Sequence, residues 1–186
     1  LSGIVTQNVD GLHKEAGTET LIPLHGDMEH VVCLNCGYAE DRRAFDARLA
    51  AANPGYLERW VVRADEVNPD GDVALSQQAV DEFVMAPCIR CGSELLKPDV
   101  VYFGEPVPAE RRDAARDLLA RSSSLIVVGS SLAVMSGYRF MLDALKQGKE
   151  VSVINGGPGR GDPKATTLWR AQVAPAFDEL LDLLDV

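Results

Sequence analysis

The sequence is short of positive charge. Its 186 residues include 18 lysines and arginines against 28 aspartates and glutamates, a net charge of −10, with a pI near 4.7. Such a surface repels phosphate backbones and anionic headgroups, so nucleic acid and membrane surfaces are not expected as direct partners. Basic, lysine-bearing peptides are favoured instead. No apolar run approaches the ~20 residues of a spanning helix. The chain does not open on a secretory signal pattern, so a secreted protein is not expected. Histidine is scarce, with three in all, and cysteine is limited to four.

The length suits one domain or one and a half, and a hydrophobic content of 46% is enough for a core. Residue 1 is leucine and leads directly into an apolar strand. The expectation is that further chain precedes it.

That strand, Gly3-Ile4-Val5, runs into Thr6, Gln7, Asn8, Val9 and Asp10 and a glycine turn. Two readings stand side by side. Asn8 or Asp10 can serve as the N-cap of a following helix. Alternatively, two amides and a carboxylate past the carboxyl end of a strand form a shelf for a polar ligand, the place where open α/β sheets bind them. The segment Leu21 to Leu24 then delivers His25-Gly26 into a loop.

All four cysteines fall in two identical knuckles, Cys33-Leu-Asn-Cys36-Gly37 and Cys88-Ile-Arg-Cys91-Gly92. Two C-x2-C pairs, each followed by glycine, supply four thiolates in the arrangement of a tetrahedral zinc site. Disulfides are the competing reading, disfavoured without a secretory signal. A site with four cysteine ligands is closed, so the metal is expected to be structural. The stretch between the knuckles is long for a zinc ribbon. It reads as a helix from Asp41 to Ala52, a stop at Asn53-Pro54-Gly55, an apolar patch at Trp60-Val61-Val62, a turn at residues 68–72 and a short helix within 75–83. The acidic spacing in residues 65–72 fits no calcium loop.

Beyond the second knuckle the apolar run Val100 to Phe103 predicts a strand ended by Gly104. Pro108 to Arg121 predicts an amphipathic helix with Ala114, Ala115, Leu118 and Leu119 inward. Leu125 to Val128 is wholly apolar, as expected in the middle of a parallel sheet, and opens into Gly129, Ser130 and Ser131. A helix from about Ser136 to Leu145 follows. A strand over 150–154 opens into Asn155, Gly156 and Gly157. Gln172-Val173 is expected to be a last short strand, and Pro175 to start a closing helix with Phe177, Leu180, Leu181 and Leu184 on one face. Alternating strands and helices predict a Rossmann-like parallel sheet, incomplete at its N-terminus, with an inserted small zinc-binding module. The expected division is residues 1–29 with 96–186 for the sheet and 30–95 for the zinc module. Three strand ends carrying glycines, hydroxyls and amides on one sheet edge suit a dinucleotide.

With these motifs in this order, and with Leu24-His25-Gly26, Lys97 to Glu105 and Gly129-Ser130-Ser131-Leu132, the sequence resembles the sirtuins, NAD-dependent protein lysine deacylases. The insert and Ser136 to Phe140 resemble the class II branch. The resemblance implies NAD as co-substrate, acyl-lysine proteins as substrates, and one structural zinc on Cys33, Cys36, Cys88 and Cys91. It implies that the acyl oxygen attacks C1′ of the nicotinamide ribose, nicotinamide leaves, and the acyl group ends on ADP-ribose. His25 would be the general base, its ordinary pKa of ~6.5 suiting the task. Asn8 and Gln7 would orient the ribose, with Thr6 and Val9 in the same stretch, and Asp10 would hold the carboxamide. Gly129, Ser130 and Ser131 would line the phosphates; Asn155, Gly156 and Gly157 would face the adenosine ribose, and Val173 the adenine. Val101, Phe103, Gly104 and Glu105 would sandwich the substrate peptide against Leu132 and Val134 by strand addition. His13 is expected to be structural, and His30 a surface residue or one near the metal.

The chain departs from the family in two ways. The opening glycine-rich strand-turn-helix is absent, so this chain alone is expected to bind NAD poorly, which calorimetric titration would test. Ser136 stands where many members carry proline. Protein mono-ADP-ribosyl transfer with the same cofactor, and a non-catalytic zinc-containing interaction module, are the alternative functions. The resemblance implies a cytoplasmic protein if bacterial and a mitochondrial matrix one if eukaryotic.

Overall fold

A computed structural model describes residues 1–62 and 73–185. The α/β class is as expected. The expected acidic turn at 68–72 lies outside the described residues. The chain forms two compact units, one made of Leu1–Asn8, Leu12–His25 and Val101–Val186, the other of Val9–Gly11 and Gly26–Val100.

In the first unit, strand β1 (Ile4–Thr6) pairs in parallel with β2 (Leu21–Pro23), Thr6 opposite Pro23. Between them α1 (Leu12–Glu15) is closed by Gly17, whose φ of +80° favours glycine. Helix α5 (Ala109–Arg121) packs on β2. It buries Ala115, Leu118 and Leu119, whereas Ala114, expected inward, is exposed.

A second parallel sheet has the order β6-β7-β8, with β6 (Ser124–Val128), β7 (Glu150–Ile154) and β8 (Thr167–Trp169). The crossover helix α6 (Met135–Lys146) lies on it. Val127, Val151, Val153, Tyr138, Met141 and Ala144 form the core of this layer.

The parallel sheet is as expected, its described strands falling in two parts, β1-β2 and β6-β7-β8. Three expectations are corrected in this unit. Among the described residues β6 pairs on one side only, with β7, and is not a middle strand. Its face bearing Leu125 and Val127 packs on the core, but Ile126 is 57% and Val128 37% exposed. The last strand is Thr167–Trp169, and Gln172 is instead the N-cap residue of α7 (Val173–Leu183). Pro175 sits in the first turn of α7, where a missing N–H costs nothing. The apolar face read for that helix is largely open: Phe177, Leu181 and Leu184 are exposed and only Ala176 is buried.

The second unit is built on β3 (Gly26–Cys33), the centre of an antiparallel sheet β4-β3-β5 with β4 (Ala39–Asp41) and β5 (Leu96–Val100). Thus the strand expected at Val100 to Phe103 lies upstream, at 96–100. An edge position explains why Pro98, opposite Val31, is tolerated, because its missing N–H faces away from the ladder. Helix α2 (Arg42–Ala52) is capped by Asp41, whose Oδ1 accepts from the Ala44 amide at 2.9 Å. Phe45 on α2 packs with Val31 and Ala86. Two short helices follow, α3 (Tyr56–Arg59) and α4 (Gln77–Glu82). The Tyr56 hydroxyl donates to the Ala79 carbonyl at 2.8 Å and the ring meets Phe83 edge-on. Val61 and Val62, expected in an apolar patch, are both exposed.

Candidate functional site

Two constellations carry chemistry, one in each unit. In the second unit the knuckles bring all four sulfurs within 4.8 Å of one another. Cys33 and Cys91 are 3.7 Å apart and Cys36 and Cys88 3.8 Å. A sulfur tetrahedron around zinc, with ~2.3 Å bonds, has edges of ~3.8 Å, so the cluster has the size one zinc needs. A disulfide pair would sit far closer, and all four cysteines are free. The knuckles are shaped by backbone bonds. The Gly37 amide donates to the Cys33 carbonyl and the Gly92 amide to that of Cys88, with both glycines at positive φ. Local donors bias the thiols. The Ser93 backbone and then Asn35 lower Cys91 to about 6. Cys36 is drawn down by the Tyr38 backbone, but desolvation and the three neighbouring sulfurs win and push it up to about 11. Behind the site Arg48 grips Glu40, which is 7% exposed, at 2.6 and 3.0 Å, and donates to the Pro87 carbonyl beside Cys88 at 2.8 Å.

The first unit gathers the polar cluster at strand ends. Thr6, 9% exposed, closes β1. Its Oγ1 accepts from the Asn8 amide at 3.1 Å, and its carbonyl accepts from the Leu24 amide at 2.9 Å. Leu24 is 1% exposed. This pins the residue before His25, while the His25 carbonyl accepts from the Val101 amide at 2.8 Å. The His25 ring is therefore held from a buried backbone. Burial lowers its pKa below the ordinary value, and a hydrogen bond to the Gln7 backbone opposes the shift. Nε2 lies 2.8 Å from Ser136 Oγ. Gln7 reaches the other way, its Oε1 accepting from Ser130 Oγ at 3.2 Å. Gln7, His25 and Ser130, three of the residues singled out from sequence, thus belong to one hydrogen-bonded set.

The other residues stand around it unevenly. Asn8 and Asp10 are exposed, and Val9 offers its carbonyl to the Met28 amide within the second unit. Gly129 takes a φ of +61°, and a Cβ there would come 3.3 Å from Val173 Cγ2, which places Val173 beside the glycine turn. Asn155 donates through Nδ2 to the Gly157 carbonyl at 2.9 Å, and Arg170 also binds that carbonyl. Gly156 backs onto Gln172. The Ser131 carbonyl accepts from the Arg160 amide at 2.7 Å.

Of the residues read as peptide contacts, Phe103 is 98% exposed and Val134 46% exposed. Tyr102 to Glu105 form a closed turn, with Gly104 at a φ of +90°. Leu132 is 6% exposed, its side chain is in the core and its amide donates to Ser130 Oγ at 3.2 Å. Its φ of +52° is unusual for leucine. Of the other histidines, His13 lies half-buried on α1. His30 pairs with Asp27 through Nδ1 at 2.8 Å.

Two residues of the site had gone unassigned. Ser136 is the partner of His25. Gly137, a glycine inside a helical run, is the signal that could have been followed. A Cβ there would collide with the Gln7 amide at 2.7 Å.

A family model described as the Sir2 family matches residues 1–136. The "NAD-dependent protein deacetylase 1" of Corynebacterium efficiens is 58% identical over 186 residues, 100% of this chain and 66% of that protein. Its namesake in Streptomyces coelicolor is 46% identical over 99% of this chain and 60% of its own length. The human mitochondrial "NAD-dependent protein lipoamidase sirtuin-4" is 41% identical over 98% of this chain and 55% of its length. A solved Sir2–p53 peptide–NAD+ complex superposes with a TM-score of 0.71 at 25% identity, covering 97% of this chain and 62% of that one. The chain therefore spans about two thirds or less of the length of the relatives it matches. On the family match and the identity of its relatives, this chain belongs to the Sir2 family.

Proposed function

We propose that this chain carries the base and much of the NAD-binding surface of an NAD-dependent protein lysine deacylase that yields nicotinamide and an O-acyl-ADP-ribose. The observation that carries the reading is the His25 ring, pinned by its backbone and tied through Gln7 to Ser130. NAD supplies the electrophilic ribose carbon to which the acyl oxygen adds. The chain's own part is to accept a proton at His25 and to orient the sugar with Gln7 and Asn8. Asp10 is assigned to the carboxamide, Gly129, Ser130 and Ser131 to the phosphates, and Asn155, Gly156 and Gly157 to the adenosine ribose, with Val173 beside the adenine. Val101, Phe103, Gly104 and Glu105, with Leu132 and Val134, are assigned to an acyl-lysine peptide. We assign residues 30–95 to a zinc module whose metal is structural, and 1–29 with 96–186 to the NAD-binding domain. The reading puts the protein in the bacterial cytoplasm or the mitochondrial matrix, with no nucleic-acid or membrane partner.

The test is a panel of acyl-lysine peptides with NAD, run on the chain itself and on a form extended to its relatives' length, each against His25→Ala. O-acyl-ADP-ribose by mass spectrometry, lost in His25→Ala, is the expected result. Deacylation that persists in the variant overturns the role of His25. ADP-ribosylated protein without deacylated peptide replaces the reading with transfer.

A further inference from the structure

The His25 ring meets Ser136 across the first unit, Nε2 lying 2.8 Å from Ser136 Oγ. A neutral imidazole has one donor nitrogen and one acceptor nitrogen, so the pair can run either way. Burial lowers the pKa of His25 and favours the neutral ring. For Nε2 to accept a proton it must carry the lone pair, and the Ser136 hydroxyl must then donate.

Ser136 is well placed for this. It is the second residue of α6, a 12-residue helix that begins without a side-chain cap. Among the described residues the helix makes no demand on its hydroxyl, and Oγ bonds Nε2 of His25. Alanine at the same place would serve the helix at least as well.

We propose that Ser136 is a positioning residue for His25, its hydroxyl selecting the Nδ1–H tautomer and keeping Nε2 as the lone-pair nitrogen aimed at the start of α6. The consequence for the reaction rests on the deacylase reading. A ribose hydroxyl that approaches Nε2 finds the ring already oriented and takes over its one lone pair as the Ser136 hydroxyl turns away. The ribose O–H then breaks, its oxygen uses the electron pair to bond the carbon of the acyl group, and the Nε2–H bond forms. Oγ accepts from the new N–H; serine donates before the transfer and accepts after it, and no charge is created on Ser136.

The test has two arms. The first needs no catalysis: long-range ¹⁵N–¹H correlation on the 186-residue chain, labelled at histidine, as wild type, Ser136→Ala and Ser136→Thr. His25 is expected in the Nδ1–H tautomer, with its Nε2 resonance moving downfield in the alanine variant and back in the threonine variant. An Nε2–H tautomer in wild type, or an Nε2 resonance indifferent to alanine, overturns the proposal. Far-UV circular dichroism on the same samples reports whether α6 is intact.

The second arm is steady-state deacylation in the form extended to its relatives' length. Ser136→Ala is expected to lower kcat by about fivefold, the loss of one net hydrogen bond, with KM for NAD unchanged and kcat restored by threonine. An unchanged kcat overturns the role in the reaction. If no deacylation is found in wild type, the functional reading fails, and the resonance arm still decides the Ser136–His25 bond.

Discussion

The side-chain amide of Gln7 fills the space that a Cβ on Gly137 would need. Its Nε2, Cδ and Oε1 lie 2.7, 2.9 and 2.9 Å from that position. A glycine in the first turn of α6 therefore lets the end of β1 lie against the helix, and Ser130 then fixes the Oε1 of the same amide.

Replacing Gly137 by alanine sets two effects against each other. Alanine in a helix gains about 0.5–1 kcal/mol over glycine, and forced overpacking costs about 1–3 kcal/mol. The clash distances favour the cost. Gly137→Ala is expected to lose about 1–2 kcal/mol net in urea unfolding. Gly157→Ala, whose Cβ would meet nothing within 4 Å, should leave the midpoint unchanged. Equal midpoints for the two variants would refute the close fit at Gly137.

The sulfur geometry predicts one tightly held zinc per chain. Elemental analysis should find one zinc, and Cys88→Ser should lose it. Because ligand binding to the folded state is folding free energy, chelation should lower the melting temperature of the cysteine-bearing unit. A chain that melts identically with and without chelator would show the metal to be dispensable.

Arg48 links the buried Glu40 to the carbonyl that precedes Cys88. Arg48→Ala leaves a carboxylate that is only 7% exposed without its partner. Breaking a fully buried pair costs about 3–5 kcal/mol. Arg48 itself is 31% exposed, so water softens the loss and about 1–3 kcal/mol is expected. The same variant should weaken zinc affinity about tenfold or more, as expected when the outer support of a metal site is removed. Competition with a chromogenic chelator measures the second effect and denaturant unfolding the first.

Desolvation holds His25 below its ordinary pKa of 6.5, with the Gln7 hydrogen bond opposing. Between its folded value and ~6.5 the unfolded chain binds more protons than the folded one, so the stability due to this group is complete above 6.5 and is lost as pH falls. The neutral base survives below pH 6.5, and the acid limb of the activity profile should fall there too. A proton NMR titration of the His25 ring checks it: a midpoint above 6.5 would contradict the burial.

The parts of the molecule that follow local rules were legible in the sequence. Asp41 and Ser76 cap their helices through their own side chains, and both knuckles close with glycines at positive φ. What escaped depends on distant partners. The strand at Leu96–Val100 is set by β3, some 70 residues upstream, and its lysine and proline hide it from any apolar pattern. β6 looked central because apolar residues cover both its faces, yet only one face found a partner. In the site, Gln7, His25 and Ser130 carried motif signals, but Ser136 and Gly137 matter through contacts to residues 111 and 130 positions away, which no local spacing encodes.

The edge of β6 bears on how the chain behaves at high concentration. Among the described residues its backbone pairs on one side only, with β7. Its sequence, Ser124-Leu125-Ile126-Val127-Val128, contains no proline and no charged residue to discourage a visitor. Natural sheets interrupt such rails with gatekeeper residues. Without one, any extended apolar segment, including the same strand of a second molecule, meets a template of free amides and carbonyls beside exposed Ile126.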